Sequence, residues 1–222
     1  MNKREHTQGI IGGNAMKKTI ITISREFGSG GRTVGKKLAE RLGYRFYDRE
    51  LIEDVMEASG LSREIVEKYD EYATHKSSFL YTIAMQAGAD AMGTLSFANQ
   101  VQIAQVNAIK QVAKDGNCVI IGRGSDFVLQ DKEDALHVFI RADMEFRKNR
   151  VETHYGKIDY KTENRLRDKD AKRRVYYRNF AMREWGMCDS YHIMLDSSTF
   201  GIDGCVDILE KIVRKSWEEE NE

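Results

Sequence analysis

The chain has 222 residues, 41% of them hydrophobic and 32% charged, with 35 Lys and Arg against 35 Asp and Glu. A chain of this length can bury a full core, and it lacks the apolar run of ~18 or more residues that a membrane helix needs. Its zero net charge argues against an overall electrostatic grip on nucleic acid or on an anionic membrane.

Proline is absent, which excludes proline-directed docking motifs and slow prolyl isomerisation during folding. The cysteines Cys118, Cys188 and Cys205 are far apart and odd in number. They point to a reducing compartment and offer no metal-ligand spacing. The five histidines show no such spacing either.

Residues 1–15 are polar with a small glycine-rich patch. They lack the long apolar core of a signal peptide, so the expectation is a flexible segment ahead of a cytoplasmic domain. The β-branched run at residues 18–23 predicts a buried strand that ends at Ser24. A glycine-rich turn follows. Val34, Leu38, Ala39 and Leu42 then recur at helical spacing, and Gly43 stops the helix.

Tyr44–Tyr47 reads as a short strand, and residues 48–58 and 62–71 read as helices separated by Ser59 and Gly60. Residues 78–114 are rich in alanine and glutamine and predict one or two helices. Cys118–Ile121 predicts a strand followed by a turn at Gly122, Arg123 and Gly124. Leu136–Ile140 predicts a strand, 141–152 a helix, 162–182 a basic helix, Tyr191–Leu195 the last strand and Ile202–Trp217 the last helix. Strands alternating with helices imply a parallel sheet covered on both faces. The expected organisation is one α/β domain over 16–217 with helical insertions, then an acidic tail at 218–222.

The charge is uneven. Residues 48–78 hold nine acids against four bases, and residues 141–180 hold thirteen bases against seven acids. A basic segment this dense suits phosphate groups, although taken by itself it reads first as a solvated helix laced with i,i+4 pairs. The aromatic and methionine positions of 79–97 suit a core or a helix–helix interface, and the helical region 79–114 is the expected homodimer face.

The chemistry concentrates in Arg25-Glu26-Phe27-Gly28-Ser29-Gly30-Gly31-Arg32-Thr33. A strand, a glycine turn and a helix N-terminus form a phosphate cradle, because backbone N–H groups point inward and the helix dipole favours an anion. The run departs from G-x-x-x-x-G-K-[ST]. Aligned on Gly30, Arg25 replaces the first glycine and Gly31 the lysine. Aligned on Gly31, Glu26 replaces the first glycine and Arg32-Thr33 replaces Lys-Thr. Gly28, Ser29, Gly30, Gly31, Arg32 and Thr33 are the candidate nucleotide-binding residues. Arg32 is the candidate cation beside the phosphates, and the Thr33 hydroxyl is the candidate contact to Mg²⁺.

The stretch from Ile21 to Ile52, with residues 118–129, 137–151 and 170–177, resembles the cytidylate kinase-like family, a bacterial and archaeal branch of the P-loop nucleoside monophosphate kinases. The resemblance spans about Met16 to Trp217. It implies a three-layer α/β fold with a five-stranded parallel sheet in the order 2-3-1-4-5. It also implies a helical acceptor-site insertion (48–115) and a lid (153–182). The implied reaction moves the γ-phosphoryl group of ATP, with Mg²⁺, to a nucleoside monophosphate such as CMP or dCMP. Neither nucleic acid nor membrane is an expected partner.

By resemblance, Asp48 and Arg123 belong to the acceptor site, with Arg49 beside Asp48. Asp170 and Arg173 form the D-x-x-R pattern of the lid. Arg32, Arg123, Arg173 and Asp170 are the candidate catalytic residues. Asp54 stands where the family pattern has an acceptor-gripping arginine, Gly124 where it has an aspartate after Arg123, and Leu166 where it has a lid arginine. Two alternatives stay open: a kinase of another small molecule, and a nucleotide-binding regulatory protein without transfer.

Overall fold

The computed structural model describes residues 17–58, 60, 62, 64, 97–155 and 162–218. The expected flexible segment 1–15, nearly all of the expected helix at 62–71, residues 79–96, part of the lid at 156–161 and tail residues 219–222 lie outside the described residues.

Five parallel strands carry the molecule: β1 (Ile20–Arg25), β2 (Arg45–Tyr47), β3 (Cys118–Ile121), β4 (Ala135–Arg141) and β5 (Ile193–Asp196). Their order is β2-β3-β1-β4-β5, as expected. β1 lies at the centre, with Ile20 opposite both Cys118 and Ala135. Strands buried on both faces are continuously apolar, which is how β3 and most of β4 read.

Side chains alternate between the two faces. Ile21, Ile23, Val119, Ile121, Val138, Ile140 and Leu195 face one layer. That layer is helix α1 (Gly31–Leu42), which contributes Val34 and Leu38, and helix α7 (Ser197–Glu218), which contributes Val206, Leu209 and Val213. Ile20, Cys118, Ile120 and Ala135 face the other layer, made by α2 (Arg49–Ala58) and α3 (Phe97–Ala113). Val101, Ala104, Ala108, Ile109 and Val112 of α3 are buried in that second core. This apolar face of the expected dimer region is therefore spent within the chain.

Gly43 ends α1 in a left-handed conformation (φ 68°), and the Tyr44 N–H bonds back to the Ala39 carbonyl at 2.9 Å. Two features escape periodicity: the single turn α4 (Ser125–Val128) and a break at Gly201 (φ 68°, ψ 170°) inside α7. α5 (Met144–Tyr155) and α6 (Thr162–Ala181) complete the basic region. Among the described residues, no helix is long and apolar enough to cross a membrane.

Candidate active site

The glycine loop joins the C-terminal end of β1 to α1, where open parallel sheets bind ligands. Gly28 and Gly30 both have positive φ (84° and 80°), and Gly30 is the N-cap of α1. This region favours glycine for want of a Cβ. A Cβ at Gly30 would also lie 2.3 Å from Ile202 Cδ1. Gly31 is the first helical residue, followed by Arg32 and Thr33. With Gly30 as the cap, Gly31 takes the lysine position of the usual loop.

Ser29 is fully buried, and its hydroxyl sits 3.0 Å from the Glu26 carbonyl and 3.1 Å from that of Ile140. The Ser29 carbonyl in turn accepts the Ser197 hydroxyl at 2.6 Å. Side chain and carbonyl are thus both engaged in holding the loop.

α6 lies directly on the loop. Leu166, in place of the family's lid arginine, is buried, and its Cδ2 would stand 3.1 Å from a Cβ on Gly28. Asp170 Oδ1 accepts the Phe27 N–H at 2.8 Å, and Oδ2 pairs with Arg147 of α5. Arg147 Nε donates to the Phe27 carbonyl at 2.7 Å, and its Nη1 lies 3.5 Å from Glu26 Oε1. Glu26 Oε2 accepts the Ala142 N–H at 3.0 Å. Asp170 is thus committed to holding the loop and Arg147. Arg173 Nη1 donates to the Arg25 carbonyl at 2.9 Å and stands 3.6 Å from Asp170 Oδ1. Arg173 and Arg165 flank the Phe27 ring at 5.5 and 5.9 Å from its centroid.

The acceptor-side residues form a second group. Asp48 is buried, and its Oδ2 accepts Arg32 Nε at 2.9 Å; its Oδ1 lies 3.4 Å from the Leu51 N–H at the start of α2. Gly122, Arg123 and Gly124 all adopt left-handed φ (69°, 59° and 64°). An arginine in that region is strained, and such strain clusters at functional sites. A Cβ at Gly124 would meet the Phe180 ring at 2.6 Å.

Arg123 is held on two sides. Its Nη2 pairs with Glu53, and its Nη1 lies 3.3 Å from Gln105 Oε1. Gln105 Nε2 donates to the Arg123 carbonyl at 3.0 Å. Glu53 also accepts Arg49 Nε at 2.7 Å. Burial lowers the Arg123 pKa, and Tyr176 and Glu53 oppose that shift.

The sequence-predicted residues therefore converge on one end of the sheet. Asp48, Arg32, Arg49 and Arg123 line the α2 side; Asp170 and Arg173 line the α6 side. Sequence reading missed Glu53 and Gln105. Glu53 had a weak signal, its i,i+4 relation to Arg49, whereas Gln105 had none. It read Arg25 as a partner of Glu26 or as lining the loop mouth, whereas Glu26 is held by Arg147 and the Ala142 N–H, and it left Arg147 and Arg150 without a role.

Thr33 was expected to contact Mg²⁺. Its Oγ1 instead accepts Arg150 Nη2 at 2.7 Å. A guanidinium stands against the hydroxyl, and the nearby Asp48 carboxylate is paired with Arg32. The loop's own side chains thus do not fit a protein-held cation in this arrangement.

A parallel sheet in 2-3-1-4-5 order, with a glycine loop at its central strand and arginines converging on that loop, defines a kinase-type P-loop α/β protein. The model of the cytidylate kinase-like family matches residues 20–199, and the chain belongs to that family. It is 27% identical to a cytidylate kinase of Archaeoglobus fulgidus over 197 residues, which cover 87% of this chain and 93% of the relative. It is 26% identical to a cytidylate kinase of Methanococcus vannielii over 199 residues, which cover 88% and 99% respectively. A solved structure of an uncharacterized protein from Eubacterium ventriosum is 25% identical, with a TM-score of 0.69 over 90% of this chain and 99% of that one.

Proposed function

We propose that the protein transfers the γ-phosphoryl group of ATP, delivered as Mg·ATP, to a nucleoside monophosphate, with CMP and dCMP the first acceptors to test. The observation that carries this reading is the convergence of arginines from four elements on one glycine loop. Arg25 comes from β1, Arg32 from α1, Arg123 from the turn after β3, and Arg173 from α6. Phosphoryl transfer asks a protein mainly for positioning and charge neutralisation. Backbone amides of Gly28 to Gly31 at the α1 N-terminus suit the donor phosphates. Arg32 and Arg173 supply charge along the donor side.

Arg123, with Asp48 and Arg49, suits the acceptor. Its restrained guanidinium lies at the α2 end, where a monophosphate would exchange the Glu53 carboxylate for its own oxygens. Asp170 acts by fixing Arg147 and the Phe27 amide. The test is a transfer assay with Mg·ATP and a panel of nucleoside monophosphates. Phosphorylation of CMP or dCMP above the others supports the specific proposal. Turnover of a different acceptor moves the substrate assignment, and absence of transfer to every acceptor by folded protein overturns it.

The missing loop lysine supports a second reading, nucleotide binding without transfer. Tight ATP binding with no turnover distinguishes it.

A further inference from the structure

Arg25 is the side chain in this site that the loop and lid contacts leave unused. Arg32 holds Asp48, Arg123 holds Glu53, and Arg147 holds Asp170. The Arg25 guanidinium has neither a hydrogen bond nor an ion pair among the described residues. Its neighbours are mostly cations: Arg173, Arg123 and Arg32 lie around it, with Asp48 the opposing charge. Burial, then the charges of Arg173 and Arg123, push its pKa down to about 9, so it stays charged at neutral pH. The side chain is half-buried, so a ligand can reach the guanidinium from solvent, and the like charges around it favour an anion there.

Two glycines make room for this arrangement. A Cβ on Gly31 would lie 2.5 Å from Arg25 Cβ, and a Cβ on Gly122 would lie 2.0 Å from Arg25 Nη1. Gly31 is the residue at the lysine position, and Arg25 is at the first-glycine position of the same motif. The two departures are therefore spatially linked. One removes the loop's cation, and the other places a cation whose stem packs against the position where the lysine would start. Gly122 then lets the guanidinium reach the turn that carries Arg123.

We infer that Arg25 is a phosphate-binding residue that takes over the charge of the absent loop lysine, with a phosphate group of the bound nucleotide as its ligand. The inference rests on the phosphotransfer reading above and adds a residue to it. The planar guanidinium presents several donors to phosphate oxygens, and such charge-assisted bonds are strong. The ligand phosphate belongs either to the donor triphosphate or to the acceptor monophosphate.

The test pairs ligand-free stability with affinity in Arg25→Met and Arg25→Lys. Probes are inorganic tripolyphosphate with Mg²⁺, standing for the donor, and CMP, standing for the acceptor, each titrated by calorimetry. Arg25→Met should raise the melting temperature of the ligand-free protein, because an unpaired charge is removed. It should also weaken at least one probe by about ten- to a hundredfold. Arg25→Lys should keep part of that affinity. A loss confined to tripolyphosphate places the ligand phosphate on the donor, and a loss confined to CMP places it on the acceptor.

Unchanged affinity for both probes in Arg25→Met overturns the inference. So does failure of both variants to fold, which would make Arg25 a structural residue. No turnover is needed for these titrations. A protein that binds tripolyphosphate through Arg25 but phosphorylates no acceptor refutes the kinase reading alone. A protein that transfers phosphate while Arg25→Met keeps full affinity refutes the Arg25 assignment alone.

Discussion

Asp170 and Arg147 form a buried ion pair between α6 and α5, with side chains 4% and 5% exposed, and the same carboxylate takes the Phe27 amide of the glycine loop at 2.8 Å. One carboxyl group thus ties the lid helix, the preceding helix and the phosphate loop together. Removing one partner of such a pair strands a charge in low dielectric, which costs about 3–5 kcal/mol. Asp170→Asn should lower the stability by an amount of that order in denaturant unfolding. It should also weaken nucleotide binding, because Phe27 and Gly28 lose their anchor. A stability within ~1 kcal/mol of the parent would contradict this role.

Arg32 makes the contrasting case. Its side chain is 61% exposed in the pair with Asp48, and exposed ion pairs contribute only about 0–1 kcal/mol. Arg32→Ala should leave the unfolding midpoint almost unchanged yet reduce kcat/KM. A large stability loss with intact turnover would invert the assignment.

Arg123 is fixed by Glu53 and Gln105 in a strained backbone conformation. Arg123→Met should lower kcat/KM for the monophosphate by roughly ten- to a hundredfold, the weight of one charge-assisted contact. The effect should be larger for the acceptor than for Mg·ATP. Equal effects on both substrates would take Arg123 away from the acceptor.

Gly30 tests the loop geometry. Gly30→Ala places a side chain at φ 80° and within 2.3 Å of Ile202 Cδ1. The backbone strain alone costs about 1–3 kcal/mol. Adding Ile202→Ala should relieve the steric part and leave the backbone part. Thermal melts of the single and double variants read the difference, and full recovery in the double variant would show that the left-handed φ is unimportant.

His137 links the fold to pH. It is 5% exposed, stacked on His192 at 4.8 Å, and bonded to Thr22 Oγ1 at 2.8 Å. Burial, and then the charges of His192 and Lys18, lower its pKa to about 4. The unfolded chain takes up a proton near pH ~6.5 that folded His137 does not accept until much lower pH. Stability contributed by neutral His137 is therefore present above pH ~6.5 and declines as pH falls towards 4, by up to about 3 kcal/mol. Melting temperatures between pH 7.5 and 4.5 should fall in the parent and fall less in His137→Asn. The exposed His192, whose pKa burial also lowers, leaves a residual slope. Identical slopes in both proteins would remove His137 as the source.

Much of the sheet was legible in the sequence, because strands buried on both faces need unbroken β-branched runs. Cys118–Ile121 is a strand with the predicted ends, and the glycine run after β1 marks the loop. The boundaries that shifted were set by tertiary contact. β1 continues through Ser24 and Arg25, since these residues pair with Phe139 and Ile140 of β4. The last helix begins at Ser197, where a serine hydroxyl reaches the Ser29 carbonyl across the sheet end.

The basic segment resolves into both of its readings. Arg167 with Glu163 and Lys172 with Asp168 are exposed i,i+4 pairs, whereas Arg147 and Arg173 turn inward onto the loop. Charge periodicity does not separate the two groups, because the difference lies in which helix face meets the sheet; the D-x-x-R resemblance marked Arg173 but not Arg147.

The sequence alone determined the alternation of strands and helices, the place of the glycine loop and the family pattern of Asp48, Arg123, Asp170 and Arg173. The alternation and the loop follow from local periodicity and from residue types that local backbone geometry demands, whereas the four site residues rest on resemblance to the family's motifs. Only the tertiary structure decided which charges are already spent. Glu53 occupies Arg123, Asp170 occupies Arg147, and Arg150 occupies Thr33, while Arg25 runs between Gly31 and Gly122 without a carboxylate partner among the described residues. Partnership between charges depends on distance and burial, and residues 25, 31 and 122 meet only when β1 and β3 lie side by side.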